Sequence, residues 1–132
     1  MTAVLAPSQI CELKTLLQER IATLLGEVRQ ELLKSDDEQY IQIAGQVHDV
    51  EEQSVADLLA DVNLAVIDLH INEIRDIEAA LIRIRTGTFG RCIDCDEKIG
   101  YPRLQAYPTA RRCRNCQVQY EMAQAPKPAP TL

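Results

Sequence analysis

Cys92-Ile93-Asp94-Cys95 and Cys113-Arg114-Asn115-Cys116, with seventeen residues between the pairs, decide how the rest of this 132-residue chain is read. A two-residue gap lets both thiolates of a pair reach one ion from a tight turn, and tetrahedral zinc takes four soft ligands of this kind. The interval between the pairs lies in the range that marks a zinc site. A redox CxxC or a pair of disulfides are the alternatives, and two CxxC pairs at this spacing favour one structural Zn2+ ion held by Cys92, Cys95, Cys113 and Cys116. Gly90 and Gly100 flank the first pair, where a metal-wrapped loop calls for unusual backbone angles.

Upstream of the cysteines the pattern is helical. From Ser8, a candidate N-cap after Pro7, apolar residues recur at three- and four-residue steps: Ile10, Leu13, Leu17, Ile21, Leu24, Val28, Leu32. The stripe fades at Lys34 to Glu38, and the stretch with Ile41, Ile43 and Gly45 reads as the helix end and a turn. A second stripe runs through Val55, Leu59, Val62, Val66, Leu69, Ile77, Leu81 and Ile84, interrupted by Glu73 and stopped at Gly87, a C-cap glycine. Two matching stripes joined by a polar turn predict a mainly α fold, a long antiparallel two-helix coiled-coil hairpin. Each arm has roughly thirty residues and is about 45 Å long. The simpler alternative is a pair of helices from a larger bundle, but no third helix of similar length is evident. The expected organisation is a hairpin over 1–87 with an acidic tip near 36–54. A zinc module over 88–123 follows, with a short final helix from about Asn115 to Ala123, then a disordered Pro-rich tail over 124–132.

Composition narrows the function. The net charge of -6 argues against general affinity for nucleic acid or anionic membranes. No export signal is evident at the N-terminus and no apolar run spans a bilayer, so a thiol metal site points to the cytoplasm. Cys11, the fifth cysteine, reads as a packed small hydrophobe. Charge is uneven: no Lys or Arg occurs from Ser35 to Ile74, whereas Arg91, Lys98, Arg103, Arg111, Arg112 and Arg114 crowd the cysteines. Such runs are often only solvated faces.

These residues resemble the DksA/TraR family of bacterial transcription regulators. The likeness rests on Gly87-Thr88-Phe89-Gly90-x-Cys92-x-x-Cys95, Ile99, Arg103-Leu104-x-Ala106, Pro108-Thr109-Ala110 and Cys113-x-x-Cys116. It runs from about Asp49 to Cys116 and more loosely over the first helix. The resemblance implies a protein that binds RNA polymerase rather than DNA. Its coiled coil enters the secondary channel of the enzyme, and acidic tip residues approach the active centre to modulate initiation. The matching tip positions are Asp49, Glu52 and Ser54; the family has aspartate and alanine where this chain has Glu52 and Ser54. Ser54 also suits the N-cap of the second helix. Family members that use the alarmone ppGpp hold it with basic and polar residues, and the matching positions here are Leu69, Glu73, Asp76 and Gln117. Two carboxylates repel a polyphosphate, so ppGpp synergy is not expected. Arg91, Arg103, Arg111 and Arg112 are candidate contacts to the polymerase rim, with pairing to Asp94, Asp96 and Glu97 as the plainer role.

Other classes fit less well. A catalytic zinc keeps an open position, whereas four cysteines close the site, so no enzyme activity is expected. His48 reads as a turn residue and His70 as a helix-surface residue, both outside the module. A nucleic-acid-binding zinc protein has only the arginines in its favour, without aromatic platforms. A zinc-finger protein–protein interaction module remains the broader alternative. A hairpin folded back on itself is expected to be monomeric, the alternative being dimerisation through its stripe.

Overall fold

The computed structural model describes residues 5–47 and 54–124; His48, Asp49, Glu52 and the Pro-rich stretch from Ala125 lie outside the described residues. Among the described residues six helices follow in order: α1 Pro7–Lys34, α2 Glu38–Gln46, α3 Val55–Leu59, α4 Ala65–Thr86, α5 Tyr101–Ala106 and α6 Arg114–Gln124. Among the described residues the one β feature is an isolated antiparallel bridge between Arg91 and Lys98. No described helix is long and apolar enough to cross a membrane.

The long helices α1 and α4 pack antiparallel, as the stripes require. Arg20 of α1 meets Glu73 of α4, with Nε at 2.6 Å from Oε2 and Nη2 at 2.9 Å from Oε1. One to two turns further along α1, Glu27 meets Nε2 of His70 at 2.7 Å. Between them lies an apolar seam of Leu13, Leu17, Ile21, Leu24, Leu25, Val28 and Leu32 from α1 against Ile67, Ile74, Ile77 and Ala80 from α4. Seven interior residues on α1 and four on α4 make hydrophobic burial the main source of stability here.

Several local expectations change. The N-cap of α1 is Ala6, two residues before the expected Ser8: Pro7 stands first in the helix, where its missing N–H costs nothing, and the side chain of Gln9 accepts the Ala6 amide at 2.9 Å. The stretch around Ile41 and Ile43 is a helix of its own, α2, started by Asp37, whose carboxylate accepts the Gln39 amide at 2.8 Å. The second arm is two helices, α3 and α4, separated at Ala60–Leu64. On α4 the face toward α1 carries Ile67 and Ile74 rather than Leu69 and Glu73, so Leu69 is 74% exposed. Glu73 sits at the edge of the seam, which explains why it seemed to interrupt the stripe. His70 is not a surface residue, with its side chain only 14% exposed, whereas Cys11 is exposed rather than packed.

The short helices lie on the long pair, α2 against α1 and α3 against α4. Ala44, Val47, Val55, Ala56 and Leu59 join the core. The acidic turn Asp36-Asp37-Glu38 therefore stands at one end of the long pair, beyond Lys34, and the cysteine module at the other. Tyr101 of α5 there donates its hydroxyl to Glu12 of α1. At this end α4 stops on Gly87, whose φ of 80° is left-handed and whose N–H returns to the Arg83 carbonyl.

The hydrogen bond from Arg20, then the local Coulomb attraction, holds the Glu73 carboxyl below the usual carboxylate range. Its contribution is present above the ordinary carboxyl pKa and is lost as pH falls through the lowered folded value. Both side chains are 40–50% exposed, so the pair contributes no more than about 1 kcal/mol. Leu17→Ala is expected to cost about 2–4 kcal/mol, and Leu69→Ala less than about 0.5 kcal/mol, in urea unfolding followed by far-ultraviolet dichroism.

Candidate metal centre

The cysteine module is built from two turns that face each other. Phe89 and Gly90 lead from α4 into the first, and Phe89, Ile99, Leu104 and Ala110 form a small apolar floor beneath it. The first turn is tied by the Cys92 amide to the Glu97 carbonyl at 2.8 Å and by the Asp96 amide to the Cys92 carbonyl at 3.0 Å. Asp96 takes the left-handed conformation, φ 63°, and Gly90 and Gly100 have φ of 91° and 98°, as their place beside a metal-wrapped loop suggested. The second turn opens α6, where the Gln117 amide meets the Cys113 carbonyl at 2.9 Å. A backbone bond joins the turns, from the Ile93 amide to the Arg111 carbonyl at 2.9 Å.

The result brings all four sulfurs within 4.8 Å of one another. Cys95 and Cys113 stand 3.7 Å apart, sulfur to sulfur. Zn–S bonds of about 2.3 Å in a tetrahedron place sulfurs about 3.8 Å apart, so the spacing fits zinc and is far from a disulfide of about 2.05 Å. Cys92 is buried and Cys95 exposed, with Cys113 and Cys116 between. Burial raises the Cys92 thiol, but the amides of Cys113, Cys95 and Asp94 outweigh it and bring its pKa down to about 6. Cys116 moves strongly upward because it shares hydrogen bonds with Cys113, Cys92 and Cys95. Four thiolates cannot gather here unless a cation compensates them. Zinc supplies that charge, and four protein ligands leave it no open coordination position.

The arginines divide into two groups. Arg112 donates through Nε to Asp94 at 2.7 Å and lies 3.9 Å over the Tyr120 ring. Arg91 donates to the Asp96 carbonyl at 3.2 Å, with the carboxylate at 3.8 Å. For these two the plainer role, internal bracing, is observed. Arg103 donates through Nε to the Arg112 carbonyl at 3.2 Å, and Arg111 is exposed with no ion pair among the described residues. Arg83 of α4 joins them: burial first and the like charge of Arg111 second push its pKa down.

At the other candidate region, Ser54 alone falls within the described residues. Its hydroxyl accepts the Asp57 amide at 3.2 Å, so it caps α3 as expected. The sequence did not reveal its second partner, Glu78 of α4. Oε1 of Glu78 accepts from the Ser54 hydroxyl at 3.2 Å and the Ala56 amide at 3.1 Å, and Oε2 from the Val55 amide at 2.9 Å. No spacing rule links residues 54 and 78, so only the folded chain discloses the contact. Of the positions compared with a ppGpp site, Glu73 is engaged by Arg20, Gln117 donates to Glu121 at 3.0 Å, and Leu69 is exposed.

Residues 87–121 match the family model of the prokaryotic dksA/traR C4-type zinc finger. The module thus resembles a DksA/TraR zinc finger. A protein of Aquifex aeolicus described as uncharacterized is 41% identical over 54 residues, covering 41% of this chain and 37% of that protein. The RNA polymerase-binding transcription factor DksA of Haemophilus influenzae is 44% identical over 48 residues, covering 36% and 33%. The matches thus span about a third of the length of these curated relatives. The solved structure of transcription factor DksA2 from Pseudomonas aeruginosa superposes with a TM-score of 0.51 at 24% identity, covering 89% of this chain and 87% of that one. At that identity the likeness is one of fold. The chain is DksA-like in its zinc module by sequence and in its architecture by fold.

Native mass spectrometry is expected to find one zinc per chain, and a strong chelator to remove it. The zinc-free protein should then be cut rapidly by trypsin at Arg91, Arg103 and Arg111, while α1 keeps most of its helicity.

Proposed function

We propose that this chain is a transcription regulator of the DksA type that binds bacterial RNA polymerase directly and modulates initiation without binding DNA. What carries the reading is the combination of a closed four-cysteine DksA/TraR module with a long antiparallel helix pair on which it sits. The zinc is structural: it braces one end of the pair and sets how α1 and α4 leave the base. The working residues are Asp49 and Glu52, with Ser54 beside them, acting near the polymerase active centre after the helical part enters the secondary channel. A carboxylate there acts through charge, which suits an acidic segment within a stretch without Lys or Arg. Arg103 and Arg111 are the better candidates for an acidic rim on the polymerase, because Arg91 and Arg112 are already paired.

Glu73 and Asp76 place carboxylates where a polyphosphate would need cations, so ppGpp adds little to the effect.

In vitro transcription with purified polymerase is the test. The Asp49→Asn, Glu52→Gln double variant should bind polymerase like the wild type yet lose most of the effect on initiation. A double variant that acts like the wild type would sink the tip mechanism. Adding ppGpp should change the response less than about twofold, and a strong enhancement would contradict the reading of Glu73 and Asp76.

A further inference from the structure

We propose that Arg83 and Arg111 form a binding site for one small tetrahedral oxyanion, of the size of inorganic phosphate or sulfate, which ties the cysteine module to the end of α4. This ion site does not depend on the polymerase reading above.

The first observation is an orphaned donor. Nη2 of Arg83 is buried without a hydrogen-bond partner, the one such side-chain atom among the described residues. Arg83 also has no ion pair among them. Buried polar groups are almost always satisfied, and an unsatisfied one calls for a water or an ion as its acceptor. Left bare, a charged donor costs its full desolvation.

The second observation is charge, and it selects an ion over a water. Burial and the like charge of Arg111 both work against the Arg83 cation, and the attraction of Asp76 is the weakest of the three influences. A water satisfies the donor but leaves two guanidinium groups repelling each other. An oxyanion answers both. The two negative charges that a four-thiolate zinc adds to the module do not replace it, because among the described residues no cysteine sulfur accepts a hydrogen bond from an arginine.

The third observation is placement. Arg83 stands in the last turn of α4, and its carbonyl accepts the Thr88 and Phe89 amides at 3.0 and 3.2 Å, so its backbone is fixed. Arg111 belongs to the module, where its carbonyl accepts the Ile93 amide at 2.9 Å, and its side chain is exposed. One guanidinium is therefore preset and the other can swing onto an ion beside it. Arginine forks match the oxygens of phosphate and sulfate in parallel pairs of hydrogen bonds. Arg83 as a residue is only partly buried, so a small ion reaches it without opening the helix. Asp76 limits how much negative charge the place accepts, which favours a compact ion over a polyphosphate.

The experiment is thermal unfolding of the zinc-loaded full chain in sodium sulfate and in sodium chloride of equal ionic strength. Wild type, Arg83→Met, Arg111→Ala and Arg75→Met are compared; the last removes a charge from an exposed position of α4. Sulfate should raise the Tm of the wild type and Arg75→Met by roughly 4 °C in a saturable way, and that of Arg83→Met and Arg111→Ala hardly at all. In chloride, Arg83→Met should be no less stable than the wild type, because it removes a buried charge that has no partner. A sulfate gain of equal size in all four proteins is a general salt effect and overturns the proposal, as does no gain in the wild type. An Arg83→Met protein several degrees less stable in chloride also counts against it. If Arg83→Met does not fold, calorimetric titration of sulfate into wild type and Arg111→Ala decides. One saturable site that weakens by about tenfold in the variant supports the ion site, and equal binding or none refutes it.

Discussion

Four thiolates share one small volume only around a cation, and the arrangement of this molecule depends on that constraint. With the sulfurs of Cys92, Cys95, Cys113 and Cys116 gathered within 4.8 Å, the chain after Gly87 closes into a module small enough to rest on a few apolar side chains. The module has little core of its own: Phe89, Ile99, Leu104 and Ala110 are its buried hydrophobics apart from Cys92. Below such a size a metal has to supply what burial cannot. In return the module anchors both long helices, α4 through the Gly87 cap and α1 through Tyr101 and Glu12.

The two ends of the molecule then differ in character. The zinc end is braced by Arg91 and Arg112, paired with Asp96 and Asp94, while Arg83, Arg85, Lys98, Arg103, Arg111 and Arg114 have no ion pair among the described residues. The opposite end carries Asp36, Asp37 and Glu38 at a turn between helices. With a four-thiolate zinc adding two negative charges to its module, the zinc end is close to neutral against the acidic opposite end; this unevenness gives a protein of net charge -6 a defined electrostatic direction on a large charged partner. The polar contacts along the seam, Arg20 with Glu73 and Glu27 with His70, are exposed at one or both partners and fix register more than they add stability.

Much of this was legible in the sequence. The CxxC spacing specified the metal because ligand geometry leaves few alternatives, and the period of α1 specified six of its seven buried residues, missing Leu25 and including the half-buried Ile10. The second arm was harder. Its stripe was read through Leu69 and Glu73, yet the buried face is Ile67, Ile74 and Ile77, because closely spaced apolar residues fit more than one helical face and only the partner helix selects one. Helix breaks at 35–37 and 60–64 carry no Gly or Pro to announce them. Glu78 was invisible for a different reason: its partners are more than twenty residues away, and no local rule connects a carboxylate on one helix to the first amides of another.

The central claim is that a zinc-braced helix pair recognises RNA polymerase. A binding titration of the fluorescently labelled chain against purified bacterial RNA polymerase, with duplex DNA in a parallel series and zinc-stripped protein as a third, tests it most directly. The account predicts saturable binding of the zinc-loaded chain to polymerase, marked weakening when zinc is removed, and no binding to DNA. Binding to DNA without binding to polymerase, or polymerase binding that is indifferent to zinc, would contradict it.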